Sequence, residues 1–347
     1  MKTLTFCMRG VFGVVRCGTA VVAAMSMLVG CRVVGPEPVI DMHLHIEAAD
    51  AEGPPPLTLC APYPGWPGRD PAVAVDDYVS KIFGRPDCAL RLTSATGDDD
   101  LRVRSIAQLR QHNVFALGGG APERVARWRQ DAPDRIIPSL ELRLADAPSL
   151  ERAREWQAAG QIQALAEVLT QYEGIAVTDP RLEPWFAFAE AADLPVGIHM
   201  GPGPPGVGYF GAPGYRMALS DPLQLEPVLA RHPRLRVFVM HAGWPMLDRM
   251  IALLYAHPQV NAEIGILDTA FPEVEFHRYV RGLIDAGLGT RIMFGSDQMV
   301  WPELIGIAIE RVRRVPGLSY AQQRDILYNN AARFLRMDPA KAAVPRS

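Results

Sequence analysis

Eight histidines are spread along the 347 residues, and they divide into two populations. His43 and His45 close an apolar run, PVIDMHLH (38–45), while His199 falls in PVGIHMG (195–201) and His241 in VFVMHAG (237–243). Two acids stand at comparable places, Glu167 in IQALAEVL (162–169) and Asp297 at the end of RIMFGSD (291–297). Imidazole nitrogens and carboxylate oxygens are the donors that hold a catalytic divalent metal ion. Alternate side chains of a strand share a face, so both rings of His43-x-His45 can reach one ion. A lone H-x-H pair carries little weight. Joined by two more histidines and two acids at the ends of other apolar runs, it points to a metal centre. The second population reads differently: His232 and His257 precede prolines at the ends of helical runs, His112 sits in the junction QHN, and His277 lies inside an amphipathic segment. Those four are expected to face helix ends or solvent.

The elements that must position the six side chains emerge from the alternation of the sequence. Strand-like runs recur at 38–45, 114–119, 136–142, 162–169, 195–201, 237–243, 260–266 and 291–297. Several are almost continuously apolar, as parallel strands buried on both faces are. Helix-like segments such as PERVARWRQ, DPRLEPWFAFAEAAD and MLDRMIALLYAHP separate most of them. Eight strands with helical crossovers predict an α/β fold, a (β/α)8 TIM barrel, whose chemistry belongs at the C-terminal ends of the strands. Two stretches break the rhythm. Residues 47–100, rich in Pro, Gly and Asp, predict a long lid-like insertion after the first strand. GPGPPGVGYFGAPGYR (201–216) contains G-x-G-x-x-G, but Pro204 and Pro205 lack amide donors and no helix start comes after it to hold a pyrophosphate. It reads as a shaped binding loop.

The ordered motifs DMHLH (41–45), AEV (166–168), PVGIHMGPG (195–203), VMHAGWP (239–245), MFGSDQMVWP (293–302) and YNNAARFL (328–335) resemble the amidohydrolase superfamily, specifically the amidohydrolase-2 group of metal-dependent hydrolases and decarboxylases. The resemblance runs over roughly residues 38–337. It implies that His43, His45, His199 and Asp297 are metal ligands and that His241 is a ligand or polarises the substrate. It also places Glu167 where two-metal members carry a bridging carboxylate. Many relatives use a carbamylated lysine there; this chain has only Lys2, Lys81 and Lys341, so a bridging ligand must be Glu167.

Three imidazoles and a carboxylate suit Zn2+, with Mn2+, Fe2+ or Ni2+ as other occupants and one or two ions as the count. Such an ion lowers the pKa of water towards about 7. Asp297 would then take the water's proton and pass it to the leaving group, while His241 polarises a carbonyl. The expected function is a metal-dependent hydrolase acting on an ester, lactone or amide of a small molecule. A metal-dependent non-oxidative decarboxylase of an aromatic or enoic acid is the alternative, and a non-catalytic metal- or ligand-binding lipoprotein is the rival from another class. Arg216, Tyr209, Glu263 and Trp301 are the candidate substrate contacts, with Trp244 placed under the rim. No G-x-S-x-G motif supports serine hydrolysis.

Composition sets the remaining bounds. The chain is 49% hydrophobic and 21% charged, ordinary for a globular enzyme. No basic run or aromatic-basic interleaving suggests nucleic acid. Residues 1–16 carry Lys2, Arg9 and Arg16 and no acid, and residues 17–29 form an apolar run too short for a spanning helix. Leu28-Val29-Gly30-Cys31 resembles a bacterial lipobox. Residues 1–30 are therefore expected to be a lipoprotein signal peptide, 31–37 a linker and 38–347 the barrel, with an uncleaved anchor as the other reading. The protein would be periplasmic, held to the membrane only through a lipid on Cys31. Arg32 would favour the outer membrane. In an oxidising compartment Cys60 and Cys88 either pair, stapling the insertion, or stay free. The sequence leaves oligomeric state open.

Overall fold

The computed structural model describes residues 35–337. The leader expected over residues 1–30, and Cys31 with it, lies outside that range. Among the described residues no helix is long and apolar enough to cross a membrane.

The apolar runs form eight parallel strands: β1 (Val39–Ile46), β2 (Val114–Gly120), β3 (Ile136–Leu142), β4 (Leu165–Val168), β5 (Val196–His199), β6 (Val237–Met240), β7 (Asn261–Glu263) and β8 (Ile292–Met293). Each pairs with the next in chain order. Helices cross between them, among them α1 (Asp98–Gln111), α2 (Pro122–Asp131), α3 (Leu150–Ala158), α4 (Glu183–Ala191), α5 (Glu226–Arg231), α6 (Leu247–Ala256), α7 (Glu273–Asp285) and α8 (Leu304–Arg313). The result is a nearly closed TIM barrel. Its seam between β8 and β1 is bridged by single hydrogen bonds rather than a ladder: Met42 N–H donates to Phe294 O at 2.9 Å and Asp297 N–H to His43 O at 2.9 Å.

Two layers of core arise from strand alternation. Ile40, Met42, Phe115, Leu117, Ala164, Ala166, Phe238, Met240 and Met293 fill the barrel's interior, with Phe334 of the last helix packed against them. Val39, Leu44, Ile46, Val114 and their counterparts face outward onto the helices. Burying a side chain of this size contributes roughly 1.5–3 kcal/mol, so the outer layer fixes the helices firmly.

Strict alternation is broken at two places, and both matter. Along β1 the register slips between Asp41, opposite Ala116, and Leu44, opposite Gly118. Along β4 it slips again, with Leu165 and Val168 opposite Leu140 and Leu142 of β3. One extra residue in each strand re-aims the side chains beyond it, as β-bulges do. The bulge on β1 lets His43 come after inward-facing Met42 and still share a face with His45. The bulge on β4 turns Glu167 inward. Room for the second is made by Gly119, where a Cβ would strike the carbonyl oxygen of Ala166.

The insertion after β1 folds as a cover. Thr58–Cys60 pairs antiparallel with Arg91–Thr93, and Cys60 and Cys88 are joined by a disulfide with a Cα–Cα distance of 6.0 Å. The cover leads into α1, whose first turn carries Asp98, Asp99 and Asp100 at the positive end of the helix dipole. Asp98 also accepts a hydrogen bond from Ala49 N–H at 2.8 Å, tying the two ends of the insertion together.

Candidate metal centre

The strands deliver all six donors to one place. His43 and His45 come from β1, Glu167 from the bulge of β4 and His199 from the last position of β5. His241 is the first residue after β6, and Asp297 lies four residues beyond β8. His241 and Asp297 hold φ values of 58° and 47°, in the left-handed region that non-glycine residues rarely enter. The strands therefore end earlier than their apolar runs, because the chain must turn to aim these two side chains inward. Such conformations cost on the order of 1 kcal/mol each and concentrate at functional sites.

Within the cluster, His43 Nε2 is 3.0 Å from His45 Nε2 and 3.4 Å from Glu167 Oε2. His45 Nε2 is 2.9 Å from Asp297 Oδ1. His241 Nε2 is 3.0 Å from His199 Nδ1 and 3.5 Å from Glu167 Oε1, and His199 Nδ1 also meets Glu167 Oε1. Donor atoms of His43, His45 and Glu167 lie within 4.8 Å of one another, and so do those of Glu167, His199 and His241. Pairs of ring nitrogens facing each other beside carboxylates fit a cation between them, since lone pairs aimed at one point repel unless something positive is shared. The donors present thus fit a divalent ion, and Glu167 is common to both triads.

The electrostatics run the same way. Burial pushes the Asp297 carboxyl up, but the charges of His43, His45 and His241 and a hydrogen bond with His45 overcome it and hold Asp297 well below the usual carboxylate range. Glu167 is likewise held far down, where His43 and His199 outweigh its burial. Burial opposes a charge on His43, yet Asp297 and Glu167 raise it well above the ordinary histidine value. His45 rises to about 10 against the same burial, through Glu47 and Asp297. His199 falls because its burial wins. Both carboxylates are therefore ionised at neutral pH.

A layer behind the donors holds them still. Glu263 of β7, which is fully enclosed, places Oε2 at 3.2 Å from His43 Nδ1 and accepts from His241 N–H at 3.3 Å. The far nitrogen of His241, Nδ1, meets Gly265 O at 3.0 Å. Hydrogen bonds of this kind fix the orientation of metal-binding imidazoles. Asp41 accepts from His43 N–H at 3.0 Å, Ser296 N–H at 2.9 Å and Ser296 Oγ at 2.6 Å, coupling β1 to the segment that carries Asp297. Burial pushes Asp41 up to about 6. Gln298 clamps His45 at both backbone atoms, accepting from its N–H at 3.0 Å and donating to its C=O at 2.6 Å. At Gly295 a Cβ would lie 2.7 Å from His43 Cβ and collide with Glu263, so only glycine leaves the ligand and its support in place.

Above the donors opens a cavity of about 540 Å3. The insertion supplies Tyr63, Trp66 and Phe83 to its wall, and the loop after β5 supplies Pro202, Pro204, Pro205 and Phe210. That loop is braced by Gln171, which donates to Gly201 O at 3.0 Å, and by Tyr215, which donates to the same oxygen at 2.8 Å. No α-helix starts at Gly201, Gly203 or Gly206; a short 3-10 turn at Val207–Tyr209 comes next. The aromatic side is continuous: ring centroids run Tyr63 to Trp66 at 5.0 Å, Trp66 to Phe271 at 5.2 Å and Phe271 to Trp244 at 4.7 Å.

The candidate substrate contacts fall elsewhere. Arg216 is exposed and donates to Pro213 O at 2.8 Å and Tyr215 O at 2.7 Å. Tyr209 is 72% exposed, with the Arg69 guanidinium 5.2 Å from its ring. Trp301 is wholly buried, stacked on Phe83 at 6.1 Å. Glu263 stands behind His43, and none of these four lines the cavity. Trp244 does line it, its Nε1 donating to Glu275 at 2.9 Å. The polar wall outside the ligand cluster is instead Glu47, Glu52, Arg143 and Tyr172. Burial holds Tyr172 far above the ordinary phenol value, so it stays a neutral donor. Arg143 stands directly after β3, a position that its place at the end of an apolar run would have flagged. Of the histidines set apart, His232 sits between Glu183 at 3.0 Å and Glu190 at 3.3 Å, far from the donors in its contacts.

Comparison with known proteins speaks to the fold and the family. Among solved structures, a probable 2-pyrone-4,6-dicarboxylic acid hydrolase from Acinetobacter baumannii, with citric acid bound, superposes with a TM-score of 0.55 at 15% identity, covering 86% of this chain and 99% of that one. A 5-carboxyvanillate decarboxylase from Novosphingobium aromaticivorans, with manganese bound, gives 0.50 at 14% identity, covering 67% and 80%. An uncharacterised TIM-barrel protein from Bordetella bronchiseptica gives 0.51 at 20% identity, covering 69% and 82%. These likenesses concern the fold. No curated protein matches. A family model described as amidohydrolase matches residues 40–337, nearly the whole of the described chain, and the protein belongs to that family.

Proposed function

We propose that this protein is a metal-dependent hydrolase that opens an ester, lactone or amide bond of a small molecule. The observation that carries the reading is Glu167, standing at the shared corner of two donor triads with Asp297 ionised beside them. A carboxylate in that position suits two ions better than one, the first with His43, His45 and Asp297 and the second with His199 and His241. When bound, divalent ions acidify water and polarise a carbonyl oxygen. Zn2+ and Mn2+ are the occupants to test first.

The chain's own residues then supply the rest. Asp297, ionised at neutral pH, accepts the proton of the attacking water and returns it to the departing oxygen or nitrogen. His241, oriented by Glu263 and Gly265, lines the cavity beside His199 and would help hold the second ion. Tyr172 presents a neutral hydroxyl to the substrate. The aromatic wall covers one side of the charges, and a charge beside apolar surface is felt more strongly than one in water.

The test is turnover of a panel of lactones, esters and amides by the metal-loaded protein and by Asp297→Asn. Hydrolysis lost in the variant, with its far-UV spectrum intact, supports the reading; a fully active variant removes the base. Decarboxylation is the second reading, favoured by the shared fold of the manganese-containing decarboxylase. It is met by carbon dioxide released from aromatic acids with no water in the product. Export and lipidation at Cys31 belong to the proposal as well, and metabolic labelling of Cys31→Ser with a fatty acid checks them.

A further inference from the structure

The end of the barrel opposite the cavity is basic, and the chain enters the fold there. Pro36 and Pro38 lie just before β1, where Asn113 Nδ2 donates to Pro36 O at 2.8 Å and Arg324 Nη2 to Pro38 O at 2.7 Å. The segment after α8 closes this end. Its helices Tyr320–Arg324 and Asn330–Phe334 cross the strand starts, and Phe334 O accepts from Arg236, just before β6, at 2.6 Å. Residues 313–337 carry five arginines against one acid, Asp325, in a chain whose net charge is −3. Among the other acids of this end, Glu37, Asp134 and Asp285 each face one arginine, whereas Asp193 faces two, Arg236 and Arg336. Arg291 and Arg333 hydrogen-bond only to carbonyl and amide oxygens of the described residues, so positive charge is left over. Two tyrosines project beside them: Tyr255, near the end of α6 and 87% exposed, and Tyr320, 64% exposed. The cover at the other end has the opposite sign, with Asp70, Asp76, Asp77 and Asp87 exposed beside Lys81 and Arg85.

Pro36 stands five residues from Cys31, a reach of roughly 18 Å at full extension. The 14-residue helix α1, one of those that run from the mouth to the opposite end, is itself about 21 Å long. A lipid on Cys31 therefore brings the basic end to a bilayer and leaves the mouth out of reach. We propose that this end of the barrel docks on anionic phospholipid, with Arg234, Arg333 and Arg336 on the phosphates and Tyr255 and Tyr320 at the boundary, so that the cavity opens away from the membrane. Guanidinium matches phosphate in charge and geometry, and a tyrosine suits a surface that is apolar on one side and wet on the other. The acidic cover, repelled by the same surface, keeps the orientation. The inference rests on the lipidation reading for its tether and is independent of the metal-dependent one.

Hydroxyl-radical footprinting of the full chain, purified from membranes and reconstituted on vesicles, reads both ends at once, with exposed Tyr209 in the loop at the mouth as internal reference. On phosphatidylcholine containing about one third phosphatidylglycerol, oxidation of Tyr255 and Tyr320 relative to Tyr209 slows at least about fivefold against phosphatidylcholine alone, the effect of a single arginine at an anionic surface. NaCl at about 0.5 M removes that protection by screening. Arg234→Glu/Arg333→Glu/Arg336→Glu removes it at low salt. Equal oxidation on the two kinds of vesicle overturns the proposal, as does protection of Tyr209 in place of Tyr255 and Tyr320, or protection that survives salt or the triple substitution. The mass of the Cys31 peptide from the same sample tests the tether separately. With no lipid there the lipidation reading falls, and the dependence on phosphatidylglycerol still decides the docking face.

Discussion

Replacing Gln298 by leucine removes no candidate ligand, yet it should loosen the metal centre. Gln298 is fully buried, and leucine is close to it in size, so packing is largely kept. What is lost, besides a bond to Met299 O at 3.1 Å, is the clamp on His45: the bond from its N–H at 3.0 Å and the bond to its C=O at 2.6 Å. Each buried backbone group left without a partner costs about 1–3 kcal/mol. The His45 side chain is 14% exposed, so water reaches part of the site, and the lower half of that range applies. The two lost bonds together amount to about 2 kcal/mol, equivalent to roughly thirtyfold in an equilibrium constant. Urea unfolding of the metal-free protein should show a loss of that order, and competition titration with a chromophoric chelator should show Zn2+ held up to about thirtyfold more weakly. Gln298→Glu keeps an acceptor for His45 N–H but sets a carboxylate against the carbonyl, so it should fall between leucine and the native residue only if the N–H bond dominates. Unchanged stability and unchanged metal affinity in Gln298→Leu would refute the idea that this clamp positions His45.

Two further expectations concern protons and the cover. In the metal-free protein His43 and His45 hold their protons more strongly than ordinary histidines, His45 up to about 10, and an ion binds only where those protons leave. Metal affinity should therefore climb at least about tenfold per pH unit from pH 6 to 8, read by calorimetry in buffers of different ionisation enthalpy; a flat profile contradicts the assignment. The Cys60–Cys88 bridge closes a 28-residue segment, which the chain-entropy model values at about 3–4 kcal/mol. Cys60→Ser/Cys88→Ser should lower the urea midpoint and expose residues 61–87 to limited proteolysis, whereas an unchanged cleavage pattern would mean the cover is held by packing alone.

How much of this is legible in the sequence differs by element. The largely apolar runs locate all eight strands, because parallel strands buried on both faces favour apolar residues, and the polar ones that interrupt them are mostly the donors and their supports. Their ends are less legible: the run at 162–169 is a strand only over Leu165–Val168, and the run through His241 stops being one at Met240. The C-terminal shortfalls share a setting. The chain leaves extended geometry at the donors, through a bulge at Glu167 and positive φ at His241 and Asp297, and neither leaves a periodic mark. The six donors are recognisable because they stand at the ends of separate apolar runs. Their supports are not: Gln298 meets His45 across 253 residues of sequence, and only closure of the barrel seam brings them together. Of the two cysteine readings, the structure contains the bridge. The cavity wall is the least legible part. Arg216, Tyr209 and Trp301 stand out as large or charged residues in the right loops, but loop conformation, which sequence spacing does not encode, turns them outward or beneath, and exposes Arg143, Glu47 and Glu52 instead.

The shared metal centre is tested most directly by the number of ions bound to the purified chain. Elemental analysis after loading with Zn2+ or Mn2+ and exhaustive buffer exchange should find at least one equivalent, and two if Glu167 bridges. Glu167→Ala should lose at least one of them, and His43→Ala/His199→Ala should retain none. A wild-type protein that keeps no divalent ion, or a doubly substituted one that keeps its full complement, would contradict a cation held in common at the mouth of this barrel.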